Sequence, residues 1–579
     1  MAGVGPTGPI ATVPLPQRWQ AGPCVTSADR GQIVTAPTDN RGRTGVTVDA
    51  AADGRRRVTA VPARPRPAAA SLLVVALPCL VTAAVVAVQI SVPSYWRDEA
   101  ATVAAVQRPL TALVYMLGNV DAVHGTYYLL MWPLARLFGT GQLIMRLPSL
   151  VAMSLAAGVV AATGRRLFSP SAGLLAGLLF AVLPNVSLYG QMARSYAMVT
   201  LAAAVASYLL VRLTENYTSR PGWIWYAASL AVLGALNIFG LLLIPAHAIT
   251  MLARLRHEDR AVRRAAFARW LAAVCTAVVL NIPLLNLAYQ QRVQISWVPA
   301  PNLESVGNAL DLLGPPLMSV AILATILAGL WAARANRRLG SAKAQAAGLE
   351  PSGAGGSVAA AVSQPSFGPV AALTLPWLLL PAAVLLLASL DTPVYTSRYV
   401  MFCLPAGALL GGTALASLAR APRRRLAGWL AAAAALGVIA TLGFGTQVQY
   451  RQPAGHADNI RAADMIIAAN ARPGDEVYYP WSVFMPISDA YPFGLGRLPD
   501  IQVGEPAIKS GTLAGTRVPR VELKQRLARA ARVWVVNLSG DTNVARLLRP
   551  AGLHLVRTWK TSDIWLQLWV RDQPAGGHH

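Results

Sequence analysis

The chain has 579 residues and carries 50 Lys and Arg against 25 Asp and Glu, which gives a net charge of +25. Hydrophobic residues make up 55% of it and charged residues 13%, about half the charged share usual in soluble domains. This balance excludes a water-soluble protein of this size. Nucleic acid is also excluded as the partner of the positive charge, because the arginines stand in short clusters between apolar segments, where membrane topology accounts for them.

The N-terminal residues 1–69 are rich in Pro, Gly, Thr, Ala and Arg and have no apolar period. Such a segment cannot bury enough apolar surface to offset the entropy of ordering, so we predict a disordered cytoplasmic tail. The first apolar run begins at Ser71, directly after Arg64 and Arg66. A basic flank of this kind holds the N-terminus in the cytoplasm.

Residues 70–447 predict an all-α transmembrane domain. Uncharged apolar runs of about 18 to 22 residues can cross a hydrocarbon core of about 30 Å. Basic clusters separate the runs, and placing every cluster in the cytoplasm gives about eleven spans. We predict spans near residues 71–92, 146–164, 171–189, 195–213, 222–237, 238–254, 269–289, 307–333, 368–389, 396–417 and 425–446. We therefore predict a multi-pass plasma-membrane protein. Because its N-terminus is predicted in the cytoplasm, an odd number of spans places its C-terminus outside.

Two segments of this domain are predicted not to span. Residues 93–145 form a long external loop, in which His124–Phe138 is apolar but short and interrupted by Pro133. We interpret this stretch as an interfacial or re-entrant helix. Residues 336–366, a mixture of Ala, Gly, Ser, Pro and Gln, form a cytoplasmic linker.

After residue 447 the pattern becomes that of a small extracytoplasmic α/β domain, residues 450–571, followed by a tail at 572–579. Ile460–Asn470 has the period of an amphipathic helix. Strands are predicted at Glu476–Tyr479, Val533–Asn537 and Ile564–Val570. The acidic residues of this domain are scattered, so we assign it no catalytic residue. The aromatic residues between Val477 and Phe493 form either a packed core or a loop that shapes the acceptor side of the site.

Two adjacent carboxylates, Asp98 and Glu99, follow the first span directly, with Trp96 beside them. At a membrane surface one of them could act as a general base toward an acceptor hydroxyl. The alternative is that the pair caps a helix at Ala100–Val106, because carboxylates favour the positive end of a helix dipole.

Further along the same loop, Asp121, His124, Tyr127 and Tyr128 place polar groups before an aromatic stripe. Such an arrangement suits a sugar, which hydrogen-bonds through its hydroxyls and stacks through its C–H face. An ordinary aromatic belt at the lipid headgroups explains the pattern equally well.

Two arginines are predicted on the outside, where positive charge is depleted. Arg194 and Tyr196 stand at the mouth of the fourth predicted span, and Arg398 and Tyr399 at the mouth of the tenth. A guanidinium in such a place indicates a phosphate ligand. Each arginine alone could instead extend toward the lipid headgroups.

Five features in order resemble the GT-C membrane glycosyltransferases that use polyprenyl-phosphate sugars, in the branch that contains protein O-mannosyltransferases and the lipid A aminoarabinose transferase. Together they extend over roughly residues 70–420. No single feature is specific, but their order and topology agree with the family. They are Asp98-Glu99, the stretch Asp121–Leu130, and the segments Phe138–Leu150, Leu188–Met198 and Tyr395–Pro405.

The resemblance implies that Asp98 is the base with Glu99 beside it, and that Arg398 binds the donor phosphate. The chain departs from the family at two places. It has Val123-His124-Gly125 where relatives often have His-Pro-Pro, and Met192-Ala193-Arg194 where they often have Glu-Ala-Arg. The lost glutamate leaves a second acidic group at that position in question, and the changed loop indicates a different acceptor or sugar.

We therefore expect an inverting enzyme that transfers a sugar from a polyprenyl-phosphate donor to a hydroxyl outside the cytoplasm. Mannose is the sugar that we expect first. Arabinose or an amino sugar remains open, and the acceptor is a protein, a glycolipid or a cell-wall polysaccharide.

No cofactor is predicted. A divalent metal has Asp98, Glu99, Asp121 and His124 as candidate ligands, but arginines can neutralise phosphate, so transfer is predicted to be metal-independent. The alternatives are a transporter or flippase for lipid-linked sugars and a non-catalytic membrane protein that binds cell-wall polymer.

Overall fold

The computed structural model describes residues 45–50, 56–61, 68–302, 305, 307, 311–346, 366–420, 425–538 and 542–571. The described helices are, in chain order, α1 Ala68–Ala87, α2 Arg97–Val106, α3 Leu110–Asn119, α4 Gly125–Phe138, α5 Gln142–Leu167, α6 Pro170–Val182, α7 Pro184–Gly190, α8 Tyr196–Glu215, α9 Arg220–Leu236, α10 Leu243–Leu255, α11 Arg260–Gln290, α12 Pro316–Ala346, α13 Gly368–Ala388, α14 Leu404–Leu418, α15 Arg425–Tyr450, α16 Ile460–Asn470, α17 Ile487–Ala490, α18 Ala507–Ser510, α19 Arg520–Arg529 and α20 Thr542–Leu548. Single 3-10 turns lie at Ala122–His124, Ile238–Leu242, Arg292–Ile295, Asp311–Leu313, Ser397–Cys403, Ser482–Phe484, Leu495–Arg497 and Arg549–Ala551.

In the described part of the chain, eight helical segments are long and apolar enough to cross a membrane, or nine if the bent pair α6 and α7 is one span. The eight are Gln142–Leu167, Tyr196–Glu215, Ile238–Leu255, Arg260–Gln290, Pro316–Asn336, Gly368–Ala388, Ser397–Leu418 and Leu426–Tyr450. Every predicted span corresponds to a helical segment, the remaining two being α1 and α9. A multi-pass membrane protein follows, while the count of eleven and the orientation of the termini stay predictions.

Helix α14 is buried along its whole length at the centre of the bundle. Its sequence is rich in Gly and Ala, and small residues let neighbouring helix backbones approach closely. A Cβ atom on Gly412 would collide with the backbone of Ala176 in α6, so these two helices touch at their main chains. The first turn of the same apolar segment, Ser397–Cys403, carries Arg398. The bundle thus holds this arginine on its most enclosed element.

Short helices build the loop between α1 and α5, which the sequence predicts to be external. Helix α2 begins at Arg97, directly after Trp96, and α4 contains Pro133 near its middle. Asp121 precedes α4 with φ +64°, a left-handed conformation that aspartate tolerates. Gln294 and Gln291 accept hydrogen bonds from the main-chain N–H groups of Asp121 and Ala122, at 3.1 and 2.9 Å. The loop is therefore locked against the segment that follows α11.

Two predictions at the ends of the membrane domain need adjustment. Strands β1 Gly45–Ala50 and β2 Arg56–Val61 pair antiparallel within the tail that was predicted to be disordered. Their β-branched residues favour a strand, and low overall hydrophobicity concealed this local pattern. The hairpin belongs to a compact unit separate from the rest of the chain.

Helix α12 continues to Ala346, so residues 336–346 of the predicted linker are helical, while 347–365 and the tail 572–579 lie outside the described residues.

The C-terminal domain contains a four-stranded sheet in the order β3-β4-β6-β5, formed by β3 Glu476–Tyr478, β4 Arg532–Asn537, β5 Leu553–Thr561 and β6 Ile564–Arg571. Strands β3 and β4 are parallel and the other pairs are antiparallel. Helix α16 has the predicted bounds, and three strands lie where they were predicted. Strand β5 was missed because it is a largely exposed edge strand with Arg and Lys among its residues, which hides the alternation that marks a half-buried strand.

Candidate active site

An ion pair joins the loop between α1 and α5 to the segment that leads into α14. Arg398 Nη1 donates to Asp98 Oδ2 at 3.0 Å, and the two side chains are 20% and 22% exposed. The guanidinium also lies over two indole rings, 4.8 Å from the ring centre of Trp297 and 5.6 Å from that of Trp96. Aromatic faces hold a guanidinium by cation–π attraction. Arg398 is therefore held in place by a carboxylate and two rings while its side chain stays partly exposed.

Arg194 approaches the same aspartate from the other side. Its Nη1 donates to the main-chain oxygen of Asp98 at 3.2 Å, and its Nη2 lies 2.7 Å from Nε2 of His124. A guanidinium can only donate, so Nε2 of His124 is an acceptor and the imidazole is neutral. Burial, followed by the charge of Arg194, lowers the pKa of His124 well below its usual range. Tyr128 contacts Arg194 at 3.4 Å and donates to Asp121 at 2.6 Å, which completes the support of this arginine.

Glu99 faces away from the solvent and holds the site together. Arg146 Nε and Nη2 donate to its two carboxylate oxygens at 3.0 and 2.8 Å, and both side chains are fully buried. The main-chain N–H groups of Ala193 and Trp96 also donate to Glu99, at 2.7 and 3.4 Å. Burial raises the pKa of this carboxyl, but the charge of Arg146, aided by His456, outweighs it and lowers the pKa to about 2. Glu99 therefore stays ionised and fixes the segments on which Asp98 and Arg194 stand.

A cavity of about 340 Å³ opens beside the Asp98–Arg398 pair. Its wall carries aromatic and polar side chains that lie far apart in sequence, namely Trp96, Tyr189, Tyr196, Trp297, Arg398 and His456. Among the described residues, Trp96 Nε1, Arg398 Nε and both ring nitrogens of His456 are buried without a hydrogen-bond partner. Buried polar groups are normally paired, so these three cavity-lining residues have unmet hydrogen-bonding capacity. A polar ligand can supply those partners.

The structure brings most of the predicted residues into one constellation. Trp96, Tyr196 and Arg398 line the cavity, and the Tyr399 ring lies 5.9 Å from the Arg398 guanidinium carbon. Asp121 and His124 stand behind Arg194. Tyr127 is buried, with a hydroxyl that has no partner among the described residues.

Several residues of this site were not singled out from the sequence. Arg146 was a detectable case, because a charged residue inside a long apolar segment marks a special role. Trp297 and His456 gave no such signal, since each is a lone residue in a connecting segment. Only the folded chain brings them beside Arg398.

The candidate metal ligands are engaged by protein groups. Asp98 pairs with Arg398, Glu99 with Arg146, and His124 with Arg194. In the part of the chain that the structure describes, there is no group of three or more His, Cys, Asp or Glu residues that could hold a metal ion. Metal independence remains a prediction, because no measurement of activity tests it.

Comparison with known proteins identifies relatives of this architecture. Residues 126–285, rather more than a quarter of the chain, match the family described as dolichyl-phosphate-mannose-protein mannosyltransferase. ArnT from Cupriavidus metallidurans in the apo state superposes with a TM-score of 0.54 at 14% identity, over 87% of this chain and 98% of that one. The same protein bound to undecaprenyl phosphate gives 0.52 at 14% identity, with the same coverage. The archaeal oligosaccharyltransferase AglB from Archaeoglobus fulgidus gives 0.48 at 11% identity, over 86% and 74%.

No curated protein matches the chain by sequence. The superposition on ArnT nevertheless spans almost the whole of that protein, and the matched family segment lies inside the region where the five motifs were found. The chain therefore has the GT-C fold of the membrane glycosyltransferases that use polyprenyl-phosphate sugars, as its motifs predict.

Proposed function

We propose that the protein transfers a sugar from a polyprenyl-phosphate donor to a hydroxyl acceptor at the extracytoplasmic end of the helix bundle. The observation that carries the proposal is the convergence of Asp98, Arg194 and Arg398 beside one cavity. A carboxylate and two guanidinium groups supply what this reaction requires, namely a proton acceptor and cations for a departing phosphate. The ArnT structure that binds undecaprenyl phosphate supports the donor class, because it shares the fold.

In the proposed reaction, the acceptor oxygen attacks the anomeric carbon from the face opposite the phosphate. The carbon–oxygen bond to the phosphate breaks and its electron pair stays on the phosphate oxygen. Asp98 takes the proton of the acceptor hydroxyl, while Arg398 and Arg194 stabilise the charge that grows on the lipid phosphate. A single displacement of this kind inverts the anomeric centre.

Mannose is the proposed donor sugar, because the family matched by residues 126–285 is described by that donor. The acceptor is proposed to be a hydroxyl of a protein, a glycolipid or a wall polysaccharide. Transfer is proposed to need no metal, since Arg398 and Arg194 can neutralise the phosphate in its place. Loss of activity in a chelator, followed by recovery in Mg²⁺ or Mn²⁺, would contradict this last point.

The test uses membranes that contain the protein, incubated with radiolabelled polyprenyl-phosphate mannose and an envelope extract. Asp98→Asn is expected to lower the transfer rate by about 10²- to 10⁴-fold, because a positioned base contributes roughly that much. Protein amount and thermal stability should change little, since Asp98 is partly exposed.

Asp391→Asn is the matched control. Asp391 is an exposed carboxylate in the segment between α13 and Arg398, so its removal should leave the transfer rate unchanged. An Asp98→Asn protein that kept most of its transfer activity would show that Asp98 is not the base. Wild-type membranes that released no labelled product from any polyprenyl-phosphate sugar would contradict the proposed function itself.

A further inference from the structure

His456 lies between α15 and α16, at the start of the C-terminal domain, to which the sequence assigned no catalytic residue. Its side chain is fully buried, and the residue is one of those that line the cavity with Arg398 and Trp96. Neither ring nitrogen has a hydrogen-bond partner among the described residues. An imidazole buried without partners is costly, so a ligand group at this position gains a hydrogen bond that the free protein lacks.

Glu99 determines which hydrogen bond His456 can make. Its Oε2 atom lies 3.7 Å from Nδ1 of His456, too far for a hydrogen bond but close enough for the negative charge to favour a proton on that nitrogen. Burial lowers the pKa of His456, against the opposite effect of Glu99, so the ring is neutral near pH 7. With the proton on Nδ1, Nε2 is left as a hydrogen-bond acceptor.

The backbone around His456 is held in an unusual conformation. Ala457 has φ +99°, a region that residues with a Cβ rarely adopt. Such strain persists only where the surroundings enforce it, and it concentrates at functional sites. The enforcing contact is the next residue, because the buried carboxylate of Asp458 pairs with Arg97 at 3.3 Å and accepts from its main-chain N–H at 3.2 Å. The bond ties this connecting segment to the loop that bears Asp98.

We infer that His456 is a substrate-binding residue whose Nε2 accepts a hydrogen bond from a hydroxyl group of the donor sugar. The inference rests on the proposed function. With the donor phosphate at Arg398, the sugar is one bond away and enters the same cavity, whose lining includes His456. An acceptor nitrogen recognises a hydroxyl and not a phosphate oxygen, so His456 distinguishes a lipid phosphate that carries a sugar from one that does not.

The experiment measures binding to the full-length protein in nanodiscs. The two radiolabelled probes are polyprenyl-phosphate mannose and polyprenyl phosphate. His456→Phe keeps the ring but removes both nitrogens, and we expect it to weaken binding of the sugar-bearing lipid by about 3- to 10-fold, the effect of one net hydrogen bond. Binding of polyprenyl phosphate should stay within about twofold of wild type, because the phosphate contacts are intact.

His456→Gln, which restores an acceptor oxygen, should recover part of the lost discrimination. This ratio of two affinities separates recognition from a packing role, because a packing defect weakens both lipids alike. Equal losses for both lipids, or no loss for either, would overturn the inference. Should His456→Phe not fold, His456→Ala provides the same comparison. Wild-type protein that bound neither lipid would contradict the proposed function instead.

Discussion

Asp98 and Glu99 are neighbours in sequence and have opposite surroundings. Glu99 accepts a hydrogen bond from the main chain of Trp96 at the start of α2, which is the helix-capping role that the sequence offered as the alternative to catalysis. Asp98 stays partly exposed and meets Arg398. The capping interpretation thus applies to Glu99, while Asp98 stays the proposed base.

The buried pair of Glu99 and Arg146 should dominate the stability of the external loop. Arg146 also donates to the main-chain oxygens of Ile90, Pro93 and Ser94. Removing one partner of a buried ion pair leaves an uncompensated charge and costs about 3–5 kcal/mol. We therefore expect Arg146→Met to lower the free energy of unfolding by roughly that amount, measured by thermal or denaturant unfolding in detergent.

Arg166→Met is the matched control, because Arg166 and Glu215 form a more exposed ion pair that solvent screens; its stability should change by less than about 1 kcal/mol. The dependence of stability on acid pH gives a second test of the buried Glu99–Arg146 pair. The pKa of Glu99 is lowered in the folded protein from 4.5 to about 2, so its contribution to stability is present above pH 4.5 and is lost as the pH falls toward 2. Glu99→Gln should lack this acid-dependent component, and equal acid sensitivity in both proteins would contradict the assignment.

At the residue scale, the sequence predicted those residues of the candidate site whose charge is unusual for their position in the chain. Asp98, Arg194 and Arg398 are charges beside apolar segments, and topology alone makes such charges conspicuous. Trp297 and His456 could not be predicted, because their roles depend on contacts between segments that are distant in the chain. The different surroundings of Asp98 and Glu99 could not be predicted either, because they depend on the position of Arg146.

At the scale of elements, α6 and α14 touch at their main chains, and α14 follows directly on the segment Ser397–Cys403 that carries Arg398. Gly412 allows the two backbones to touch at Ala176, and a larger side chain would force them apart. We expect Gly412→Val to destabilise the bundle by about 1–3 kcal/mol, as overpacked cores do, and to lower transfer because the segment that carries Arg398 leads directly into α14. Unfolding midpoints and transfer rates of the purified variant test both expectations.

Gly437→Ala in α15 is the control for this substitution. A Cβ at Gly437 meets nothing within 4 Å, so alanine should be neutral or stabilise the helix by about 0.5–1 kcal/mol through its higher helix propensity. If Gly412→Val were as stable and active as Gly437→Ala, close contact of α6 and α14 would not position the site.

The sequence predicted these long elements because apolar length and basic clusters are strong signals. The hairpin of β1 and β2 and the edge strand β5 escaped, since short or exposed strands lack a distinctive period.

At the scale of the whole molecule, the C-terminal domain is joined to the site through several hydrogen bonds. The hydroxyl of Tyr491 lies 2.8 Å from Ser94 Oγ and accepts from the Tyr95 main chain at 2.7 Å, and Arg461 donates to the carbonyls of Ser91 and Val92. Composition indicated a separate α/β domain but not this docking, which depends on individual polar contacts. The domain and the membrane helices therefore build one site together, with His456 at their junction.

The most direct test of the proposed donor site is a structure of the wild-type protein in nanodiscs with polyprenyl phosphate bound. We predict that the phosphate lies in the cavity within hydrogen-bonding distance of Arg398, using the Nε atom that is unpartnered in the free protein, with Arg194 on its far side. The lipid chain should leave between the helices toward the bilayer. A phosphate bound elsewhere, with the 3.0 Å Asp98–Arg398 pair undisturbed and the cavity without lipid, would contradict the assignment of the donor site.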